Sequence, residues 1–230
     1  MSIAENIARV RANIAAAARE VGRNPEEITL VGASKMNDAA ACREAIAAGI
    51  DALGENRVQE MAGKLAENAY DGAPLHFIGH LQRNKVKQVV GKVSLIQSVG
   101  SLPLLDEIEK TAAGLGLVQD VLLEVNIGEE EAKSGFLPRD LLSGAEAALE
   151  KSSIRVLGLM TIPPVDADRE TNLRYFDKVR ALFIDMDEKL FHNGLQVLSM
   201  GMSGDYEDAV RAGATMVRVG TAIFGNRHYT

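Results

Sequence analysis

Short apolar runs alternate with stretches of helical periodicity from one end of this chain to the other. A helix is expected over Ser2 to Val21, where Ile3, Ile7, Val10 and Ile14 recur at spacings of three and four; Gly22 and Asn24-Pro25 then end the pattern. Strand-like runs follow at Ile28–Ala33, Ile50–Leu53, Pro74–Gly79, Val93–Val99, within Val118–Val125, and at Ile154–Ile162, Leu195–Met200 and Ala214–Val219. Helical patterns separate them at Asp38–Ala48, Val58–Asn68, Leu81–Val90, Pro103–Ala113, Leu141–Lys151, Arg169–Leu190 and Tyr206–Arg211, and Gly220 to Phe224 opens a last turn. Strands each separated by a helix are joined by crossovers and so run parallel. Eight such units within 230 residues predict a closed α/β fold, a (β/α)8 TIM barrel with an extra N-terminal helix, formed by residues 1–230 as one domain. A doubly wound open sheet shares the same periodicity and is the alternative.

Composition narrows the function classes. The net charge of −7, with no long basic block, argues against nucleic acid as the main partner. Cys42 is the single cysteine, so it makes no internal disulfide; this fits a reducing compartment and a small buried helix residue rather than a nucleophile. No run reaches the roughly 18 apolar residues of a membrane span, and Glu5, Arg9 and Arg11 interrupt the first helix, unlike a signal peptide. A cytoplasmic protein is expected.

In a parallel barrel, chemistry gathers where the strands end. The first strand ends on Ser34-Lys35, and a lysine carried there by a buried run is a candidate for imine formation, in which the neutral amine attacks a carbonyl. Its alternative is a strand terminator reaching solvent along its aliphatic stem. The last two strand ends, Met200-Gly201-Met202-Ser203-Gly204 and Val219-Gly220-Thr221-Ala222, each place glycine beside a hydroxyl. Glycine lets backbone approach an oxyanion, and the turn into a helix supplies N–H groups. Either loop alone reads as an ordinary turn, whereas two adjacent ones point to phosphate. An imine lysine and a phosphate cup together suggest pyridoxal 5′-phosphate, with Ser203 and Thr221 on the phosphate and Arg218 facing the ring; Arg218 also reads as a barrel-interior cation paired with a carboxylate.

Several stretches carry a further resemblance: Val31-Gly32-Ala33-Ser34-Lys35, Gly54-Glu55-Asn56-Arg57-Val58-Gln59-Glu60, His76-Phe77-Ile78-Gly79-His80-Leu81-Gln82-Arg83-Asn84-Lys85, Lys133-Ser134-Gly135, Gly158-Leu159-Met160-Thr161-Ile162-Pro163, Leu198-Ser199-Met200-Gly201-Met202-Ser203 and Val217-Arg218-Val219-Gly220-Thr221-Ala222-Ile223-Phe224-Gly225. In this order, across nearly the whole chain, they resemble the pyridoxal-phosphate homeostasis protein family, relatives of the alanine racemase N-terminal barrel. The resemblance implies Lys35 as the cofactor lysine, Ser203, Gly220 and Thr221 on the phosphate, Arg218 by the pyridine ring, and Asn56 and Met202 lining the pocket. It also implies a role in vitamin B6 control and in amino-acid and keto-acid metabolism without an established catalytic activity; cofactor-requiring apo-enzymes are the expected partners. Arg57 stands where relatives generally have tyrosine, Leu75 where they often have tryptophan, and Gly100 near where an aspartate tends to occur.

Other candidates are weaker. His80 follows a strand end but has no locally spaced carboxylate to orient it, so it reads as a polar rim residue. His76, His80, His192 and His228 lack metal-ligand spacing, and no metal is expected. Arg83, Lys85 and Lys87 read as a solvated helix face, and Glu129-Glu130-Glu131 as a solvated loop. The expected function is storage or transfer of the cofactor, against a racemase- or decarboxylase-type enzyme using the same imine. Racemisation needs bases on both faces of the α-carbon, and the racemase resemblance supplies the second from a C-terminal β-domain that this chain, ending at Thr230, is not expected to have. That comparison favours the carrier and a monomer. A cofactor-free aldolase would use Lys35 but leaves Arg218 less to do.

Overall fold

A computed structural model describes residues 1–225. Eight parallel strands run in sequence order around a closed barrel, β1 to β8, so the closed alternative holds and the open sheet does not. The chain divides into two compact units, one formed by Met1–His76 with the described residues from Met200 onward, the other by Phe77–Ser199.

The first unit contains α1 (Ile3–Glu20), β1 (Thr29–Ala33), α2 (Ala39–Ala47), β2 (Ala52–Glu55), α3 (Val58–Ala66), α7 (Tyr206–Arg211), β8 (Met216–Val219) and α8 (Thr221–Phe224). Thr29 to Gly32 of β1 register with Met216 to Val219 of β8, and Val31 to Ala33 with Ala52 to Gly54 of β2. β1, β2 and β8 are almost wholly buried, as parallel strands covered on both faces must be. The additional helix α1 begins on a capping box in which the Ser2 hydroxyl accepts from Glu5 N–H at 3.2 Å and the Glu5 carboxylate from Ser2 N–H at 2.8 Å. It buries Ile7, Val10, Ile14, Ala17 and Ala18. Two polar bonds seat it behind the last two loops: Asn6 Nδ2 donates to the Ile223 carbonyl at 2.8 Å, and Asn13 Nδ2 donates to the Tyr206 hydroxyl at 2.9 Å. The N-terminal helix thus buttresses the turn that follows β8.

The second unit contains β4 (Leu95–Val99), α4 (Leu102–Leu115), β5 (Gln119–Val125), α5 (Leu141–Leu149), β6 (Ile154–Thr161), α6 (Arg169–Met186) and β7 (Val197–Ser199); β3 (Leu75–Phe77) lies at the boundary of the two. Register shifts between Val121 and Leu122 where β5 meets β6, beside Gly158, whose φ of +155° and approach to the Val197 carbonyl leave no room for a Cβ. The helix expected over Leu81–Val90 is instead a tight 3₁₀ segment, Arg83–Gln88, with bonds such as Lys85 N–H to the Gln82 carbonyl at 2.9 Å. β-Branched Val86 within it and Val89 and Val90 just after it are all buried and weaken an α-helix, so a short turn that inserts them suffices. The expected helix to Leu190 changes at its end to a π turn, Asp187–Phe191. Of the acidic loop residues, Glu129 and Glu131 are exposed, while Glu130 is half-buried and paired with Lys133 at 2.5 Å.

Among the described residues, no helix is long and apolar enough to cross a membrane.

Candidate functional site

Lys35 lies just past the end of β1, half-buried, and Met36 after it takes a left-handed φ of 62°. Such a backbone is uncommon for a residue with a side chain and has to be held by its surroundings. Asp38 then caps α2 by accepting from Ala41 N–H at 2.8 Å. The chain therefore leaves the strand through a constrained turn that carries Lys35 on its inner side.

Around this turn lies a cavity of about 400 Å³ within the first unit. Of the residues expected from the sequence, Lys35, Met202, Ser203, Arg218, Gly220 and Thr221 line it together. Asn56 does not; it sits half-buried after β2, with an Oδ1 that is buried and has no partner in the structure. Gly204, from the glycine-hydroxyl loop expected on phosphate, lines the cavity too, whereas sequence reasoning missed Met36, Asn37 and Phe224. One signal was present only in three dimensions: Met36 and Met202, 51% and 37% exposed, are among the few large apolar side chains left in solvent, and both face this cavity.

The two glycine-hydroxyl loops meet. Ser203 Oγ accepts from the N–H groups of Gly220, at 3.1 Å, and Ala222, at 3.3 Å, at the start of α8. Gly220 is not in the left-handed region, and a Cβ there would stand at ordinary distance from Ala33; at Gly204 a Cβ would meet nothing. Neither glycine is required by its protein neighbours, so the bare wall they leave is available to a ligand. Gly201 differs, because its φ is +92° and a Cβ would come within 2.5 Å of the Ala209 Cβ. Arg218, on β8 beside Val31 of β1, is 3% exposed and brings a cation to this wall.

Beneath the Lys35 turn lies a buried polar network that sequence reasoning did not find. Glu55, at the end of β2, accepts at Oε1 from the Ser34 hydroxyl at 2.6 Å, Lys64 Nζ at 2.7 Å and the Tyr70 hydroxyl at 3.1 Å. Lys64 also donates to the Ser34 carbonyl and to Glu60, each at 2.8 Å. Burial disfavours the Lys64 charge, yet the bonds to Glu55 and Glu60 outweigh it and hold its pKa above the usual lysine value. Burial, reinforced by Glu55, pushes the Tyr70 hydroxyl far up, and burial likewise raises the Cys42 thiol, which fits an inert packed cysteine.

His80 is exposed and His76 buried. His228 lies outside the described residues, and among those described no group of three or more His, Cys, Asp or Glu side chains is placed to hold a metal. Arg57 is exposed and Leu75 buried; a Cβ at Gly100 would strike the Gly135 backbone at 2.5 Å, so with this loop packing the position takes no side chain.

Barrel and strand-end cavity together define a protein of the alanine racemase N-terminal type: the family model described as "Alanine racemase, N-terminal domain" matches residues 6–228. A protein of Aquifex aeolicus named pyridoxal phosphate homeostasis protein is 44% identical over 100% of both chains, and its namesake in Pseudomonas aeruginosa is 43% identical over 99% of this chain and 97% of its own. The solved structure of PipY of Synechococcus elongatus PCC7942 with PLP bound superposes with a TM-score of 0.85 at 33% identity, covering 97% of this chain and 100% of that one. The chain belongs to the pyridoxal phosphate homeostasis protein family.

Proposed function

We propose that this protein binds pyridoxal 5′-phosphate in the cavity at the ends of β1 and β8 and serves intracellular vitamin B6 homeostasis by storing or handing over the cofactor, with residues 1–230 acting as one domain. The observation that carries the reading is the convergence of Lys35, Arg218 and the Ser203/Gly220/Thr221 loops on one cavity, in a chain whose relatives bear that name. The donor set fits the group. A volume of about 400 Å³ lies in the range of small-ligand sites. Met36, Met202 and Phe224 offer apolar surface to a ring, and Ser203 and Thr221 offer hydroxyls to a phosphate.

When bound, the group would supply an electrophilic aldehyde carbon, and Lys35 is the residue whose neutral amine would hold it. Ser203, Gly220 and Thr221 would hold the phosphate. Arg218 carries only donors, so beside a pyridine nitrogen it would hold that nitrogen as an unprotonated acceptor, which would favour holding the cofactor over carbanion chemistry. Asn56 reaches the ligand only if its partnerless Oδ1 turns towards it. Acceptance of the cofactor by apo-enzymes in the cytoplasm, by a monomeric carrier, completes this reading.

The test is borohydride reduction of protein loaded with pyridoxal 5′-phosphate, followed by peptide mapping. The expected result is pyridoxyl mass on Lys35 alone and none in Lys35→Ala. A protein that neither binds the cofactor nor acquires the adduct overturns the reading and returns Lys35 to cofactor-free aldehyde chemistry.

A further inference from the structure

We propose that Glu60 and Lys64 of α3 are positioning residues for Lys35: they grip the peptide groups on either side of it and set where its amine stands, without touching the ligand. The inference rests on the cofactor reading above. Lys64 Nζ donates to the carbonyl of Ser34, the residue before Lys35, at 2.8 Å. The N–H of Met36, the residue after it, donates to Glu60 Oε1. Lys64 and Glu60 are themselves paired at 2.8 Å, four residues apart on one helix face. One ion pair therefore clamps the two peptides that flank the Lys35 Cα, and with them the direction of its Cα–Cβ bond.

Three details make this more than a surface ion pair. Lys64 is 6% exposed, and its three N–H bonds are all used, on Ser34 O, Glu55 and Glu60. Glu55 anchors the same ammonium to β2 and takes the Ser34 hydroxyl, so the turn is tied to the sheet as well as to the helix. Met36 holds a left-handed backbone, φ 62°, whose cost the Glu60 bond offsets. Glu60 and Lys64 are both absent from the cavity wall, so any effect on ligand attachment has to pass through the turn. A lysine on an unclamped turn would sample many more directions, and alignment of nucleophile and carbonyl would be lost.

The experiment compares Glu60→Gln and Lys64→Met with the parent using two probes: pyridoxal 5′-phosphate, which can attach covalently, and pyridoxine 5′-phosphate, which lacks the aldehyde. Attachment is followed by absorbance and by borohydride trapping on Lys35, and binding of the second probe by calorimetry. The expected result is attachment slowed about tenfold in Glu60→Gln, the scale of one charge-assisted hydrogen bond, with affinity for pyridoxine 5′-phosphate unchanged. Glu60→Gln keeps a side-chain oxygen and serves where Lys64→Met fails to fold, which circular dichroism reports; Glu60→Asp, which keeps the charge, should recover part of the rate. Equal loss for both probes, or no change in attachment, overturns the proposal. If the parent binds neither probe, the cofactor reading itself has failed, a distinct outcome.

Discussion

The hydroxyl oxygen of Ser203 lies 3.1 Å from the amide nitrogen of Gly220 and 3.3 Å from that of Ala222. One side chain from the loop after β7 thus organises the donors at the start of α8. Those two amides donate to Ser203 Oγ, so the loss of the Ser203 hydroxyl is felt both directly and through the loop it holds. Removing it with the Thr221 hydroxyl, in Ser203→Ala/Thr221→Val, should weaken retention of pyridoxal 5′-phosphate by about tenfold or more per hydroxyl, the scale of hydrogen bonds to a charged group. Calorimetry with the phosphate and with pyridoxal, which lacks it, checks this; affinity for pyridoxal should change little. A double variant as retentive as the parent would remove the phosphate assignment.

Gly201→Ala should cost about 2 kcal/mol or more, because the new Cβ combines left-handed backbone strain with overpacking. Its φ is +92°, and the Cβ would stand 2.5 Å from the Ala209 Cβ and 3.0 Å from the Tyr206 Cα. Urea unfolding measures the loss. Full stability in the variant would contradict the tight approach of α7 to this turn.

His76 is buried in β3, and burial lowers its pKa to about 4. The unfolded chain takes up a proton near pH 6.5 while the folded one resists until about pH 4, so the unfolded state binds more protons between these values. Stability from this group is therefore intact above pH 6.5 and falls as the pH drops towards 4, by up to about 3 kcal/mol. Denaturant titrations at pH 7 and pH 5 should show the fall in the parent and a smaller one in His76→Asn. Identical pH slopes for the two would refute the assignment.

Much of the fold was legible because each barrel unit is a local repeat. Periods of two and 3.6, with glycine and proline between them, mark strands and helices within windows of a dozen residues, and parallel crossovers follow from their alternation. The segment Arg83–Gln88 was misread because its buried Val86, with Val89 and Val90 just beyond it, satisfies helical spacing equally well in a 3₁₀ turn. Lys35 and the Ser203 and Gly220 loops were legible as strand ends, where lysine, hydroxyls and glycine stand out. Met36 and Phe224 were not, because an apolar residue in a sequence does not show that it faces a cavity.

The amino-acid sequence by itself determined the order of the elements, the strand ends that bear chemistry and the motifs of the family. Only the tertiary structure decided which groups share a wall, left Asn56 off it, and turned Glu60 and Lys64 from an ordinary pair spaced four apart into a clamp on the Lys35 turn. The reason is physical: periodicity is written in neighbouring residues, whereas burial and hydrogen-bond partnership depend on segments far apart in the chain. Ser34, Glu55 and Lys64 become partners only when β1, β2 and α3 pack together.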